Sequence, residues 1–104
     1  MRKLYIIGSM SRYEYIKDLA SRFEKSSVER GVELWVKYPT PIDANTKFGE
    51  AVRQCFDNIE WADKIVIIPK LDGTFGEGTT YEMEYVKRLG KDFIVFDEDQ
   101  VIKM

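Results

Sequence analysis

Residues 65–68 read Ile-Val-Ile-Ile, a short and uninterrupted apolar run. Such a run is typical of a β-strand that is covered on both faces, as the strands of parallel sheets are. A glycine-rich loop follows, containing Gly73, Gly76 and Gly78, and it leads into a helix predicted at residues 80–89. Ligands of open parallel sheets bind beyond the carboxyl ends of the strands. We therefore expect this loop and helix start to border a ligand crevice.

The rest of the chain alternates between strand and helix patterns. Strands are predicted at residues 3–7, 32–38, 64–68 and 92–96, with a short fifth strand at 101–102. Helices are predicted at residues 12–29, 46–61 and 80–89, where Thr46 caps the second and Gly90 ends the third. This alternation, with right-handed crossovers, predicts an α/β fold: a small parallel sheet of four to five strands with helices on both faces.

Composition excludes several classes of function. The chain has 104 residues, which predicts a single domain over 1–104, and its 16 Lys and Arg nearly balance 18 Asp and Glu. A nucleic-acid or anionic-membrane footprint is therefore not expected. Without histidine and with one cysteine, Cys55, the chain has no Ser-His-Asp triad, no internal disulfide and no ordinary zinc ligand set. We expect a cytoplasmic protein, because no signal peptide or membrane-spanning run is recognisable. We also expect it to use no metal or cofactor.

The segment after the first predicted strand is suited to an anion. Gly8 ends the strand, and Ser9, Ser11 and Arg12 at the following helix start offer two hydroxyls and a guanidinium beside backbone N–H groups. A phosphate fits this set. The alternative is that Ser11 only caps the helix and Arg12 is solvated. The loop has neither the Walker A lysine nor the GxGxxG pattern of dinucleotide sites.

Glu82 also has two interpretations. In the first, Thr79 caps the third helix and Glu82, three residues later, closes a capping box. In the second, the helix dipole favours an ionised Glu82 that acts in catalysis. Glu84 points about 200° away around the helix, so it does not pair with Glu82, and Glu77 is interpreted as a solvated loop charge.

At these residues the chain resembles a known family. The segments KLYIIGSM at the N-terminus, Ala62-Asp63 before the apolar strand, and Gly78-x-x-Tyr81-Glu82 are similar in order and spacing to the nucleoside 2-deoxyribosyltransferase superfamily. The resemblance implies a flavodoxin-like, or Rossmann-like, three-layer sandwich. It also implies that Glu82 attacks the anomeric carbon of a deoxyribosyl group and expels the base. The Gly8-Ser9 turn is more similar to the 2'-deoxynucleoside 5'-phosphate N-hydrolases, which hold a 5'-phosphate there.

The chain departs from the family at two positions. The family's second acid corresponds to Cys55, so Asp57 is the nearest carboxylate, although two helical residues turn its side chain by about 200°. Asp43 and Asp72 are alternatives, and Gly76 replaces a phosphate-binding serine. Asp57 and Glu82 are thus the predicted catalytic residues. The predicted substrate-binding residues are Gly8, Ser9, Ser11, Arg12, Asp72, Gly76, Gly78 and Tyr81.

The expected function is cleavage or transfer at the N-glycosidic bond of a 2'-deoxynucleoside or its 5'-monophosphate. A close carboxylate can stabilise or trap the oxocarbenium-like sugar, as in retaining glycoside hydrolysis. The resemblance implies a small-molecule deoxynucleoside or deoxynucleotide partner and a homodimer or higher homo-oligomer that helps to close the site. Two alternatives remain open: a non-catalytic nucleotide-binding module on the same fold, and a structural or interaction protein, which an exposed Trp35 would favour.

Overall fold

The structure, a computed structural model, describes residues 2–39 and 48–96, with only the backbone described at 10 and 48–52. Strands and helices alternate along this part of the chain. The strands are β1 (Arg2–Gly8), β2 (Leu34–Lys37), β3 (Lys64–Ile68) and β4 (Asp92–Val95). The helices are α1 (Tyr13–Glu29), α2 (Phe48–Trp61) and α3 (Glu77–Leu89), with a short 3-10 turn at Met10–Arg12 before α1. The predicted Thr46 cap and the predicted strand at 101–102 lie outside the described residues.

The four described strands form one parallel sheet in the order β2-β1-β3-β4. β1 and β3 lie side by side at its centre, from Leu4 opposite Lys64 to Gly8 opposite Ile68. β2 is at an edge of the sheet, and Trp35 on it is 56% exposed. The order reverses between β1 and β3, which is where a crevice opens at the carboxyl ends of the strands in folds of this type.

Alternate residues of the central strands are buried on opposite faces of the sheet, because side chains along a strand point to opposite sides. On one face Leu4, Ile6, Val66 and Ile68 pack against Ile16, Leu19 and Ala20 of α1. On the other face Tyr5, Ile7, Ile65 and Ile67 pack against Ile59 and Ala62 at the end of α2 and Val86 of α3. Both faces are therefore covered, which explains the uninterrupted apolar run at 65–68 and confirms the predicted α/β fold.

The end of α3 is fixed as expected. Gly90 has a left-handed backbone with φ of 68°, a conformation that favours glycine, and its N–H donates to the carbonyl of Lys87. The Lys91 side chain then donates to the carbonyls of Glu60 and Ala62, at 3.0 and 2.7 Å. These bonds join the start of β4 to the end of α2. In the part of the chain that the structure describes, no helix has the length and apolarity required to cross a membrane.

Candidate active site

A cavity of about 720 Å³ opens at the carboxyl ends of the strands. Its described walls come from the ends of β1 and β2, from α2, from the residue after Pro69 and from the start of α3. The lining residues are Tyr5, Gly8, Ser9, Lys37, Tyr38, Pro39, Gln54, Cys55, Asn58, Lys70, Gly76, Glu77, Gly78, Thr79 and Glu82. The cavity thus lies where the sequence predicted a crevice.

Helix α3 begins three residues earlier than predicted. Its cap is Gly76, and its first residue is Glu77, so Glu82 is the sixth residue of the helix. The predicted capping box is therefore wrong, because Thr79 lies inside the first turn and Glu82 is too far along the helix to reach the cap. The sequence pattern places Gly78 in the loop, but the helix continues through it at a propensity cost of about 1 kcal/mol. Glu82 has no capping role.

The Glu82 carboxylate is instead buried in the cavity wall. Its Oε2 atom is inaccessible to solvent and makes no hydrogen bond within the described part of the chain. Burial raises the pKa of Glu82 from 4.5 to about 7, while the neighbouring Cys55 thiol acts in the opposite direction. A buried carboxylate with one oxygen left without a partner destabilises the fold, so its presence in a cavity is typical of a functional group.

Two neutral groups surround this carboxylate. The Tyr5 side chain is fully buried, and its hydroxyl has no hydrogen-bond partner among the described residues. Burial, and then the charge of Glu82, raise the pKa of Tyr5 far above its usual range. Burial and Glu82 also raise the pKa of Cys55 to about 11, so the side chain is a thiol at neutral pH. We refer to Tyr5, Cys55 and Glu82 as the Glu82 cluster.

Tyr5 was not predicted as a site residue. The signal in the sequence was a single hydroxyl in the otherwise apolar centre of β1. Buried tyrosines usually find a hydrogen-bond partner for the hydroxyl. A partner supplied by a ligand would satisfy this one.

The rim beside the start of α3 is suited to an anion. A Cβ atom added to Gly76 would lie 3.4 Å from Cε and 3.8 Å from Nζ of Lys70, so the ammonium group lies over the first turn of the helix. The hydroxyl of Ser9 accepts bonds from the backbone N–H of Ser11 at 3.3 Å and from its hydroxyl at 3.0 Å, which leaves the Ser9 proton to donate. The amino end of α3 adds unpaired N–H groups and a positive dipole end.

Arg12 does not fit either of its predicted roles. It is 4% exposed, so it is not solvated, and it is not among the described residues that line the cavity. Its Nη1 donates to the carbonyl of Pro69 at 2.9 Å, and its guanidinium lies 4.4 Å from the ring centre of Tyr15. Ser11 is not a helix cap, since no side chain caps α1. Arg12 joins the start of α1 to the end of β3.

This contact predicts a structural role for Arg12. We expect Arg12→Met to lower the free energy of unfolding by roughly 1–3 kcal/mol, because the buried carbonyl of Pro69 loses its donor. Urea denaturation measures the change. Arg22→Met, on the exposed side of the same helix, is the control and should cost less than about 1 kcal/mol. Equal effects of the two substitutions would contradict the structural role.

Three other predicted residues lie away from the Glu82 cluster. Asp57 is exposed on α2 and is not among the described lining residues, because the two-residue offset from Cys55 turns its side chain outward. Asp72 accepts bonds from the N–H and hydroxyl of Thr74 at 2.9 and 2.6 Å, which lower its pKa. Tyr81 is 59% exposed on α3. Asp43 lies outside the described residues.

The predicted glycines have different roles. A Cβ atom at Gly8 would lie 2.6 Å from Cδ1 of Ile16 and 3.3 Å from Ile68, so a larger residue at the end of β1 would displace the Ile16 side chain. Gly73 has φ of 83° in the turn that positions Lys70. Gly78 faces open space, with nothing within 4 Å of an added Cβ, and so leaves room in the cavity.

Solved structures with a similar fold include two enzymes whose names refer to glycosyl chemistry. A 2-desoxiribosyltransferase from Leishmania mexicana gives a TM-score of 0.65 at 21% identity over 92% of this chain, which spans 64% of the length of that protein. The CMP N-glycosidase BcmB from Clostridium botulinum gives 0.61 at 15% identity, covering 90% of this chain and 70% of that one.

A third similar structure has another kind of activity. The C-terminal catalytic domain of ISC1926 TnpA, an IS607-like serine recombinase, gives a TM-score of 0.50 at 18% identity, covering 96% of this chain and 72% of that one. At such identities, structural similarity shows the fold and leaves the activity to be argued from the site.

The sequence comparisons give a family without an assigned activity. No curated protein matches the chain by sequence. Residues 2–95 match the family described as "Domain of unknown function (DUF4406)". The structural matches confirm the predicted resemblance at the level of the fold. The chain therefore belongs to the DUF4406 family, and its fold is similar to those of the 2-desoxiribosyltransferase and the CMP N-glycosidase.

Proposed function

We propose that this protein cleaves or transfers the N-glycosidic bond of a 2'-deoxynucleoside or its 5'-monophosphate, with Glu82 as the nucleophile. The observation that carries the proposal is the buried Glu82 carboxylate, which lines a substrate-sized cavity with an oxygen that has no partner among the described residues. The names of two structural neighbours, a 2-desoxiribosyltransferase and a CMP N-glycosidase, give independent support.

The reaction begins when the ionised Glu82 attacks the anomeric carbon. The bond from this carbon to the base nitrogen breaks, its electron pair leaves with the base, and a glycosyl ester forms on Glu82. Water or a second base then attacks the same carbon and releases the carboxylate. Tyr5 acts as a positioning residue, because its buried hydroxyl lies beside Glu82 and is available to orient the carboxylate or a sugar oxygen.

The cationic and N–H groups beside the start of α3 support a 5'-monophosphate as the substrate. Lys70, Ser9 and the amino end of α3 all line the cavity, and Glu82 lies further along the same helix. An ammonium group and helix N–H groups form strong, charge-assisted bonds to phosphate oxygens. The phosphate contact predicted for Arg12 is assigned here to Lys70.

Lys70→Met tests the phosphate contact. We expect it to weaken binding of a deoxynucleoside 5'-monophosphate by about 10- to 100-fold, the value of one charge-assisted bond, and to leave binding of the free nucleoside nearly unchanged. Calorimetry in a Glu82→Gln background measures both affinities without turnover. Lys64→Met, at the amino end of β3, the strand that precedes Lys70, is the matched control. An equal loss for nucleotide and nucleoside would contradict the assignment.

A substrate panel tests the function as a whole. The protein is incubated with deoxynucleosides and their monophosphates, with and without an acceptor base, and free base is separated by chromatography. Release without an acceptor indicates a hydrolase, and product only with an acceptor indicates a transferase. Binding without any product would favour the nucleotide-binding module. The observation that favours this second candidate is Cys55, which places a thiol beside Glu82 instead of an acid.

A further inference from the structure

The Glu82 cluster provides one carboxylate and no second acid of the same kind. Among the described residues that line the cavity, only Glu77 and Glu82 have carboxylates. Glu77 is exposed in the first turn of α3, five residues before Glu82, and so lies outside the Glu82 cluster. Glu82 must itself be ionised to attack. Neither carboxylate is therefore suited to give a proton to a departing base.

Beside Glu82, the Tyr5 hydroxyl and the Cys55 thiol each carry a proton, and the thiol is the more acidic of the two. It lines the cavity on α2, and the buried, unpartnered hydroxyl of Tyr5 lies next to it. Burial and the Glu82 charge keep both groups protonated at neutral pH. Since efficient general acids have a pKa near the operating pH, a thiol with a pKa of about 11 is a poor proton donor to a base leaving at neutral pH.

We propose that this site takes N-glycosides whose base leaves without a proton from the protein, above all those whose base is positively charged before the bond breaks, such as an N7-alkylated purine. The inference rests on the proposed function, and it assigns Cys55 as the residue that sets this specificity. A neutral thiol beside Glu82 also adds no second negative charge that would compete with attack by the carboxylate.

The reaction balances without a protein acid. The Glu82 carboxylate forms a bond to the anomeric carbon while the bond to N9 of the cationic purine breaks. The electron pair of that bond neutralises the purine cation, so a neutral base leaves and needs no proton. Water then attacks the anomeric carbon, Glu82 leaves as a carboxylate, and the water proton passes to the solvent.

The test compares the rates at which base is released from N7-methyl-2'-deoxyguanosine and from 2'-deoxyguanosine. The uncatalysed rate of each compound is subtracted. The wild-type protein should release base from the methylated compound at least about 100-fold faster, since a missing general acid costs about 10²–10⁴-fold. Cys55→Asp places a carboxyl beside Glu82, where burial and the nearby charge raise its pKa and keep it protonated. We expect this variant to lower the ratio of the two release rates at least about tenfold, because it accelerates release of guanine from 2'-deoxyguanosine. Cys55→Ser, of similar size, should leave the ratio nearly unchanged.

Each outcome decides the inference. Similar rates on the two compounds, or a ratio that Cys55→Asp does not change, would overturn it while leaving the proposed function in place. Asp43 lies outside the described residues, so Asp43→Asn is included. If that variant slows release from unmodified deoxyguanosine alone, Asp43 is the missing acid and the inference is wrong. If the folded wild-type protein releases no base from either compound, the proposed function fails and the inference falls with it.

Discussion

Glu82→Gln is expected to reduce base release by about 10⁴-fold or more, a loss typical of removing a nucleophile. Glutamine has nearly the same shape but no anionic oxygen to attack the anomeric carbon. The helix start does not depend on Glu82, because Gly76 is the cap of α3. The variant should therefore stay folded. Free base measured by chromatography, with circular dichroism on the same sample, gives both quantities.

The matched control is Glu84→Gln. Glu84 lies two residues further along α3, is exposed and is not among the described residues that line the cavity. Its substitution should leave base release unchanged. An active Glu82→Gln variant, or equal losses in the two variants, would show that the carboxylate of Glu82 is not the nucleophile.

The same substitution is expected to stabilise the protein at pH 8. The pKa of Glu82 is about 7 in the folded protein against an ordinary value of 4.5, so between these values the folded state binds more protons than the unfolded state. Glu82 therefore lowers the free energy of unfolding as the pH rises from about 4.5 to about 7. Glu82→Gln removes this loss, which amounts to roughly 1–3 kcal/mol above pH 7.

Urea denaturation at pH 4 and pH 8 measures the effect. The variant should gain stability over the wild type at pH 8 and little at pH 4, where Glu82 is already protonated. Glu84→Gln, at an exposed position of the same helix, is measured alongside as the control. A stability difference between Glu82→Gln and wild type that is the same at both pH values would mean that Glu82 does not titrate in a buried environment.

The fold was predictable from periodicity, and the errors have physical reasons. The run at 65–68 identified β3 correctly because both faces of that strand are covered. The predicted start of α3 is three residues too late, because the sequence pattern places Gly78 in the loop. In the structure Gly78 lies inside the helix and faces open space. Local patterns identify an element well, but they do not show which glycines a helix tolerates.

The site was predictable only in part. Glu82, Ser9, Gly76 and Gly78 were identified from their positions beside strand ends, which the structure brings to one cavity. Tyr5 and Lys70 were missed because their roles depend on contacts between distant segments. The burial of Arg12 against Pro69 is another contact of this kind. The expected homo-oligomer remains a prediction.

The early start of α3 fixes the distance between the group proposed to bind the phosphate and the group proposed to attack the sugar. The amino end of the helix and Glu82 belong to one rigid element, five residues apart, and are thus separated by about 7.5 Å along the axis at 1.5 Å per residue. Motion of the surrounding loops leaves this spacing unchanged. A residue inserted between Gly78 and Glu82 would shift the carboxylate by about 1.5 Å and turn it by about 100°. We therefore expect relatives that share the reaction to differ in the loops around the cavity and to keep the length of this segment.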